Sequence, residues 1–281
     1  MINPETLSIT FGLGSAVAWG AGDFTGGLAS RKGNLLGVIF VSQFLGGLLL
    51  ALLGIIFAES VPPVSYLLYG GLAGIFGNIG LIALYKGLAQ GRMGIVAPLS
   101  AVLTALVPIG YSAFYNGLPS IIQLAGFICF MVAIWLLSAG DTGFRMTLNE
   151  LLLSIVAGLG FGFFFILIDK ANDLAIYWPL VSARLFSVSF LFFIVILLKR
   201  SLKPVTGQWK FICITGIFDA GGNLFFSMAA QLGRLDISAV LGSLYPAATV
   251  FLAWFFLKER LGKKQWIGVV GAFFALILIS I

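Results

Sequence analysis

Long runs of apolar residues, separated by short polar or Gly/Pro-rich connections, follow one another along almost the whole chain. A helix that crosses the hydrocarbon layer of a membrane needs roughly 20 apolar residues, and lipid forces the backbone of each run to satisfy its own hydrogen bonds. The pattern therefore predicts ten transmembrane helices, at about Leu7–Ala29, Leu35–Phe57, Val64–Leu88, Met93–Phe114, Ile121–Ala139, Leu151–Ala171, Tyr177–Leu198, Trp209–Gln231, Ile237–Leu257 and Gln265–Ile281.

The composition is that of an all-α integral membrane protein. Hydrophobic residues make up 60% of the chain and charged residues only 9%, whereas soluble domains carry about 25% charged residues. The net charge of +6 comes from basic residues scattered among short loops, so we expect no nucleic-acid partner. The chain has no histidine, and Cys129 and Cys213 each lie inside an apolar run. We therefore expect neither a metal site nor a cofactor.

The lysines and arginines fall almost entirely on one side of the predicted membrane. The odd-numbered loops hold nearly all of them, the opposite side holds only Lys170 and Arg234, and Arg184 is left inside a helix. The positive-inside rule then predicts cytoplasmic odd loops and both termini outside, in the cytoplasmic (inner) membrane of a prokaryote. The segment before the first run carries Glu5 and no basic residue, so we expect a retained helix rather than a signal peptide.

A constant shift of 142 residues places the second half of the chain on the first. The matched positions include Gly91–Leu99 on Gly233–Leu241, Gly126 on Gly268, Ser138 on Ser280, and Trp19-Gly20 on Phe161-Gly162. This repeat predicts two domains, residues 1–140 and 141–281, each with five helices.

Because five is an odd number, the second domain must enter the membrane from the opposite side. Two inverted five-helix repeats around a central cavity are typical of secondary transporters, whose substrate site lies near the midplane. A structural scaffold has no need of such pseudo-symmetry.

Several segments resemble the EamA-type branch of the drug/metabolite transporter superfamily, and the likeness covers essentially the whole chain. They are Trp19-Gly20-Ala21-Gly22-Asp23-Phe24, the repeated fourth and ninth helices, Ser243-Leu244-Tyr245-Pro246, and Leu257-Lys258-Glu259-Arg260-Leu261 followed by Gln265-Trp266-Ile267-Gly268. The resemblance implies a ten-helix carrier in which helices one to four and six to nine surround the cavity. The first half has Asn116-Gly117-Leu118 where the second has Lys258-Glu259-Arg260, so the halves are differentiated. The family moves amino acids, sugars, amines and other metabolites, and the resemblance names no single substrate.

Three ionisable residues fall inside predicted helices and away from their ends, where charges are expensive and are functional candidates by default. They are Asp23, Arg184 and Asp219. Arg184 and Asp219 lie on neighbouring antiparallel helices at depths that an extended arginine could bridge. The sequence leaves open whether they form a structural ion pair or handle substrate or protons.

Amides, aromatic residues and prolines supply the other candidates. Asn78 and Asn223 each follow a glycine at mid-span and are expected to bind substrate or to join helices. Trp19 is expected to wall the cavity. Pro98 and Pro246 are predicted helix breaks, with Tyr245 as an aromatic contact for the substrate; a packing kink is the alternative. Asp169, Lys170, Asp173, Lys86 and Asp236 are interpreted as interfacial and solvated.

These features favour a secondary active carrier that moves a small polar metabolite by alternating access, with proton coupling left open. The expected partners are a small-molecule substrate, membrane lipid and, if coupled, protons, in a monomer or homodimer. A channel-like facilitator or lipid flippase is one alternative. A membrane-embedded enzyme is another, but that class usually shows clustered His, Asp or Glu at the interface, so we expect no enzyme here.

Overall fold

The described residues of the computed structural model are 3–31, 34–89, 93–138, 147–203, 207–257 and 262–279. Their secondary structure is α-helical, in segments α1 (Pro4–Arg31), α2 (Leu35–Ile56), α3 (Val64–Ala89), α4 (Met93–Asn116), α5 (Ile121–Ser138), α6 (Leu148–Ala171), α7 (Tyr177–Leu197), α8 (Trp209–Leu232), α9 (Leu235–Gly242), α10 (Tyr245–Leu257) and α11 (Lys263–Ile279). The predicted domain boundary at residue 140 lies outside the described residues, as does the segment 258–261.

Six stretches within the described residues are long and apolar enough to cross a membrane. They are Leu35–Ile56, Val64–Gly87, Leu148–Ala171, Tyr177–Leu197, Trp209–Leu232 and Leu235–Phe256. Large apolar side chains also cover the outer surface. On α2, for example, Phe44, Leu48, Leu52 and Ile55 are all exposed on one face. Exposed apolar area of this extent is rare on soluble monomers, and lipid is the medium that suits it.

The helix ends carry local signals that the sequence contains. Thr147 and Glu150 form a capping box at the start of α6, with each side chain accepting a hydrogen bond from the other residue's backbone N–H. The carboxylate of Glu59, in the loop between α2 and α3, accepts hydrogen bonds from the backbone N–H groups of Ile176 (2.7 Å) and Trp178 (3.0 Å). These groups begin α7 and have no partner within their own helix, so Glu59 caps a helix distant in the sequence.

The main helix pairs are α1 with α8, α3 with α6, and α5 with α11, while α2 packs on α7 and α8. Glycines make several of these close approaches possible. A Cβ at Gly160 would lie 2.8 Å from the carbonyl oxygen of Phe76, and a Cβ at Gly216 would lie 2.7 Å from that of Ser42. Backbones this close require small residues at the crossing, as in other membrane helix pairs.

The predicted ninth helix is divided. α9 ends at Gly242, Ser243 and Leu244 form a turn, and α10 begins at Tyr245. Pro246 has no N–H to donate back toward Gly242, so the helical ladder is interrupted just before it and resumes after it.

One interpretation of a charged residue was wrong. Asp236 is not solvated: its side chain is 0% exposed and pairs with Arg234 at 2.8 Å. This hydrogen bond raises the pKa of the Arg234 guanidinium. The sequence position, beside a short loop, did not reveal that the carboxylate turns inward at the start of α9.

Candidate functional site

A central cavity lies among the helices. Its lining residues come from α1–α4, α6–α8 and α10; within the part of the chain that the structure describes, none comes from α5 or α11. The structure brings seven sequence-predicted candidates together around this cavity: Trp19, Asp23, Asn78, Arg184, Asp219, Asn223 and Tyr245.

Arg184 and Asp219 form an ion pair at one side of the cavity. The guanidinium nitrogen Nη1 lies 2.6 Å from the carboxylate oxygen Oδ2, and the two side chains are 7% and 20% exposed. Gln43 joins both: its Nε2 donates to Asp219 Oδ2 at 3.1 Å, and its Oε1 accepts from Arg184 Nη1. The pair thus sits in a three-residue network that crosses from α2 to α7 and α8.

Arg184 also has a hydrogen-bond donor that is not used within the described residues. Its Nη2 is buried and has no hydrogen-bond partner among the described residues. A guanidinium carries five N–H donors, and an unmet buried donor is costly. A group that enters the cavity could therefore gain from accepting this hydrogen bond.

Asp23 occupies a different environment. Its Oδ1 accepts a hydrogen bond from the hydroxyl of Tyr85 at 3.2 Å, and no described lysine or arginine lies within ion-pair distance of it. Trp19 is one helical turn earlier on the same face of α1, because residues four apart are neighbours on a helix. Asp23 is therefore a carboxylate in the cavity wall without a cationic partner in the described part of the chain.

Asn78 both joins helices and faces the cavity. Its Nδ2 donates to the carbonyl oxygen of Ser187 at 2.8 Å, and the Ser187 hydroxyl donates to the carbonyl oxygen of Gly74 at 2.9 Å. The Oδ1 of Asn78 is buried and unpartnered within the described residues, so an acceptor remains. Asn223 lines the cavity from α8.

Aromatic rings form the apolar wall. Trp19 stacks on Phe165 at 5.5 Å between centroids and lies 5.8 Å from Phe226, and these two phenylalanines stack at 4.2 Å. Phe161 and Phe164 extend the wall. Such ring arrangements hold a fixed, packed surface.

The two predicted helix breaks differ. Pro246 is buried as the second residue of α10, just after the Ser243–Leu244 turn. The turn places Tyr245 in the cavity wall, where its hydroxyl lies 3.4 Å from that of Ser100. At Pro98 the helix α4 runs on without a break. Pro98 is the sixth residue of α4, so the hydrogen bond it cannot make would go only to the first turn of that helix.

Sequence reasoning missed some of the wall, and above all Gln43, the residue that bridges the ion pair. A signal was present, because Gln43 is an amide in an otherwise apolar transmembrane run and a buried amide needs a partner. Thr104 and Ser187 also line the cavity, but small hydroxyl residues are common in such helices and give no comparable signal.

Comparisons with known proteins show which family, relative and solved structure this chain is similar to. Residues 148–281 match the EamA-like transporter family. The chain is 33% identical to the uncharacterized protein MJ1333.1 of Methanocaldococcus jannaschii over 133 residues, which are 47% of this chain and 93% of that protein. One solved crystal structure matches with a TM-score of 0.80 and 15% identity, over 98% of each chain; at this identity the match shows the fold alone.

The family match agrees with the long apolar helices and with a cavity that holds charged and amide side chains. The resemblance seen in the sequence is thereby confirmed. This chain is a multi-pass membrane protein that belongs to the EamA-like transporter family.

Proposed function

We propose that this protein is a secondary active transporter that moves a small polar metabolite across the cytoplasmic membrane of a prokaryote by alternating access. The observation that carries the proposal is the central cavity, because it joins charged, amide, hydroxyl and aromatic side chains from eight helices in the interior of a membrane protein. Intramembrane charges that face a cavity mark substrate and ion pathways.

The contacts between helices support two inverted halves of five helices each. In α8, Gly222 lies against the ring of Trp19, and in α3, Gly80 lies against the ring of Phe161. The shift of 142 residues converts one pair into the other. The same shift places Cys129 on Gly271, and these two residues touch, with Sγ 3.6 Å from the carbonyl oxygen. Equivalent residues meet in this way where a pseudo-two-fold axis passes between them.

The relative from Methanocaldococcus jannaschii also supports the repeat. The matched region is 47% of this chain but 93% of that protein, so the relative is about half as long. A chain of that length corresponds to one five-helix unit. We infer that this protein contains two such units and that the cavity lies between them.

Two halves joined through small residues suit the rocking motion of inverted-repeat carriers. Asp23 and Asp219 are the groups that could carry a coupling proton, since both are carboxylates in the cavity wall. Asp23 is the freer of the two, because Asp219 already contacts Arg184 and Gln43.

Counterflow in proteoliposomes tests the proposal. Vesicles that hold purified protein and a high concentration of an unlabelled compound are diluted into the same compound with a label. A carrier accumulates the label transiently inside, whereas a channel only equilibrates it and an enzyme converts it.

The screen covers amino acids, amines and sugars, with protein-free vesicles and the Asp219→Asn variant as controls. We expect counterflow with at least one class, and its loss in the variant. Equilibration without accumulation for every permeant compound would instead assign the protein to the facilitators.

A further inference from the structure

The charges around the cavity do not cancel when both of its carboxyl groups are ionised. Three side chains of the cavity wall are of types that are usually charged at neutral pH: Asp23, Arg184 and Asp219. Arg184 and Asp219 neutralise each other at 2.6 Å. Asp23 contacts the hydroxyl of Tyr85 and has no cationic partner in the described residues, so the ionised wall carries one net negative charge.

The hydrogen-bonding groups are biased in the same direction. The side-chain acceptors without a full complement are the carboxylate of Asp23 and the Oδ1 of Asn78, which is buried and unpartnered among the described residues. An ammonium group has three donors and no acceptor and fits such a wall. A buried donor without a partner among the described residues is Nη2 of Arg184, whose neighbouring nitrogen already contacts Asp219. The Asn223 amide in the wall offers donors and an acceptor alike.

A carboxylate on the ligand would fit this donor poorly. To reach Nη2 of Arg184 it would approach the carboxylate of Asp219, and like charges at short range in a low-dielectric site repel strongly. A zwitterion would also leave the cavity with one net negative charge, whereas a monovalent cation brings the sum to zero. A hydroxyl or an aromatic edge is a more suitable neighbour for Nη2.

The rest of the wall is mainly apolar and rich in aromatic rings. Trp19, Phe161, Phe164 and Phe165 line the cavity. Trp19 stands one turn from Asp23 on α1, so a cation held by the carboxylate lies beside an indole ring, and cations are attracted to such rings.

We propose that the substrate class is a small organic monocation, a primary amine with an aromatic or aliphatic body and no carboxylate, and that Asp23 is its counter-ion. This inference rests on the proposed transport function and narrows it. Arg184 acts against acidic ligands because its charge is already committed to Asp219.

Three probes with the same phenyl body and different charges test the proposal: phenethylamine (a cation), phenylalanine (a zwitterion) and hydrocinnamate (an anion). Counterflow is measured for each in the same proteoliposomes. We expect exchange of phenethylamine, at least about tenfold faster than that of phenylalanine, and none of hydrocinnamate.

The variants assign the effect to Asp23. Asp23→Asn should lower phenethylamine exchange about tenfold or more, while Asp23→Glu restores part of it because the charge is kept. Asp173→Asn removes an exposed carboxylate outside the cavity and should leave exchange unchanged. Elution and melting temperature in detergent establish that each variant is folded, and the ability of phenethylamine to raise the melting temperature reports binding without transport.

Exchange of phenylalanine without exchange of phenethylamine would overturn this inference and leave the transporter assignment intact. An amine that neither exchanges nor raises the melting temperature would overturn it as well. Equal amine exchange by wild type and Asp23→Asn would remove Asp23 as the counter-ion. The broader counterflow screen decides the transporter assignment separately.

Discussion

The guanidinium of Arg184 and the carboxylate of Asp219 meet through a single nitrogen, 2.6 Å apart, at the edge of the central cavity. The helices that carry them, α7 and α8, are consecutive, and the contact joins them beside the cavity. Gln43 from α2 bridges both groups. A buried pair of this kind adds little net stability, but removal of one partner leaves an uncompensated charge.

A double-mutant cycle measures this coupling. Arg184→Leu or Asp219→Leu alone should lower stability by about 3–5 kcal/mol, and the double variant should cost less than the sum of the two single changes. Thermal unfolding in detergent supplies the values. Strict additivity would mean that the two side chains act independently in the membrane, and the network described here would then be wrong.

Alanine substitutions at the adjacent Gly221 and Gly222 should differ sharply in their effect on stability. A Cβ at Gly222 would lie 2.6 Å from Nε1 of Trp19, whereas a Cβ at Gly221 would have nothing within 4 Å. Gly222→Ala should therefore cost about 1–3 kcal/mol through overpacking and impair transport. Gly221→Ala should be neutral or slightly stabilising, because alanine favours helix. Similar melting temperatures for the two variants would contradict the close packing of α1 on α8.

Glu59 should stabilise the protein because it caps α7, a helix distant from it in the sequence. Glu59→Ala removes both acceptors for the first N–H groups of α7 and should destabilise the protein by about 1–2 kcal/mol. Glu59→Gln keeps one acceptor oxygen and should cost less. Asp173→Ala, in the same loop region as Ile176 but exposed, serves as the control and should change stability by under about 0.5 kcal/mol. A melting temperature for Glu59→Ala equal to that of wild type would show that the cap is absent in the membrane.

The helices and seven residues of the cavity wall were predictable from the sequence, for a physical reason. In lipid, the length of an apolar run largely determines where a helix can lie. The ends of the predicted runs therefore agree with the observed segments to within a few residues, although the ninth run is divided between α9 and α10. A charge inside such a run is expensive, which is why Asp23, Arg184 and Asp219 identified the cavity.

The remaining features depend on contacts between distant segments. The role of Gln43 is set by the orientation of α2 against α7 and α8, and the burial of Asp236 by the start of α9. Neither orientation follows from local hydrophobicity. Pro98 and Pro246 look alike in sequence, but only Pro246 follows an interrupted helix, because the turn at Ser243 lies between α9 and α10 while Pro98 stands near the first turn of α4.

The orientation of the chain is a separate prediction. The basic residues of the odd loops predict that both termini face away from the cytoplasm. Two reporters fused in parallel after the last residue, one active only in the cytoplasm and one only outside it, measure this directly. A strong signal from the cytoplasmic reporter would reverse the orientation without changing the cavity.

The central claim is that the cavity opens alternately to the two sides of the membrane, and access to Thr104 tests it most directly. Thr104 lines the cavity and is buried. In a background with Cys129 and Cys213 replaced by serine, Thr104→Cys is exposed to a membrane-impermeant thiol reagent in right-side-out and inside-out vesicles. We predict labelling from both sides, with protection by a transported compound. Labelling from one side only, under every condition, would contradict alternating access.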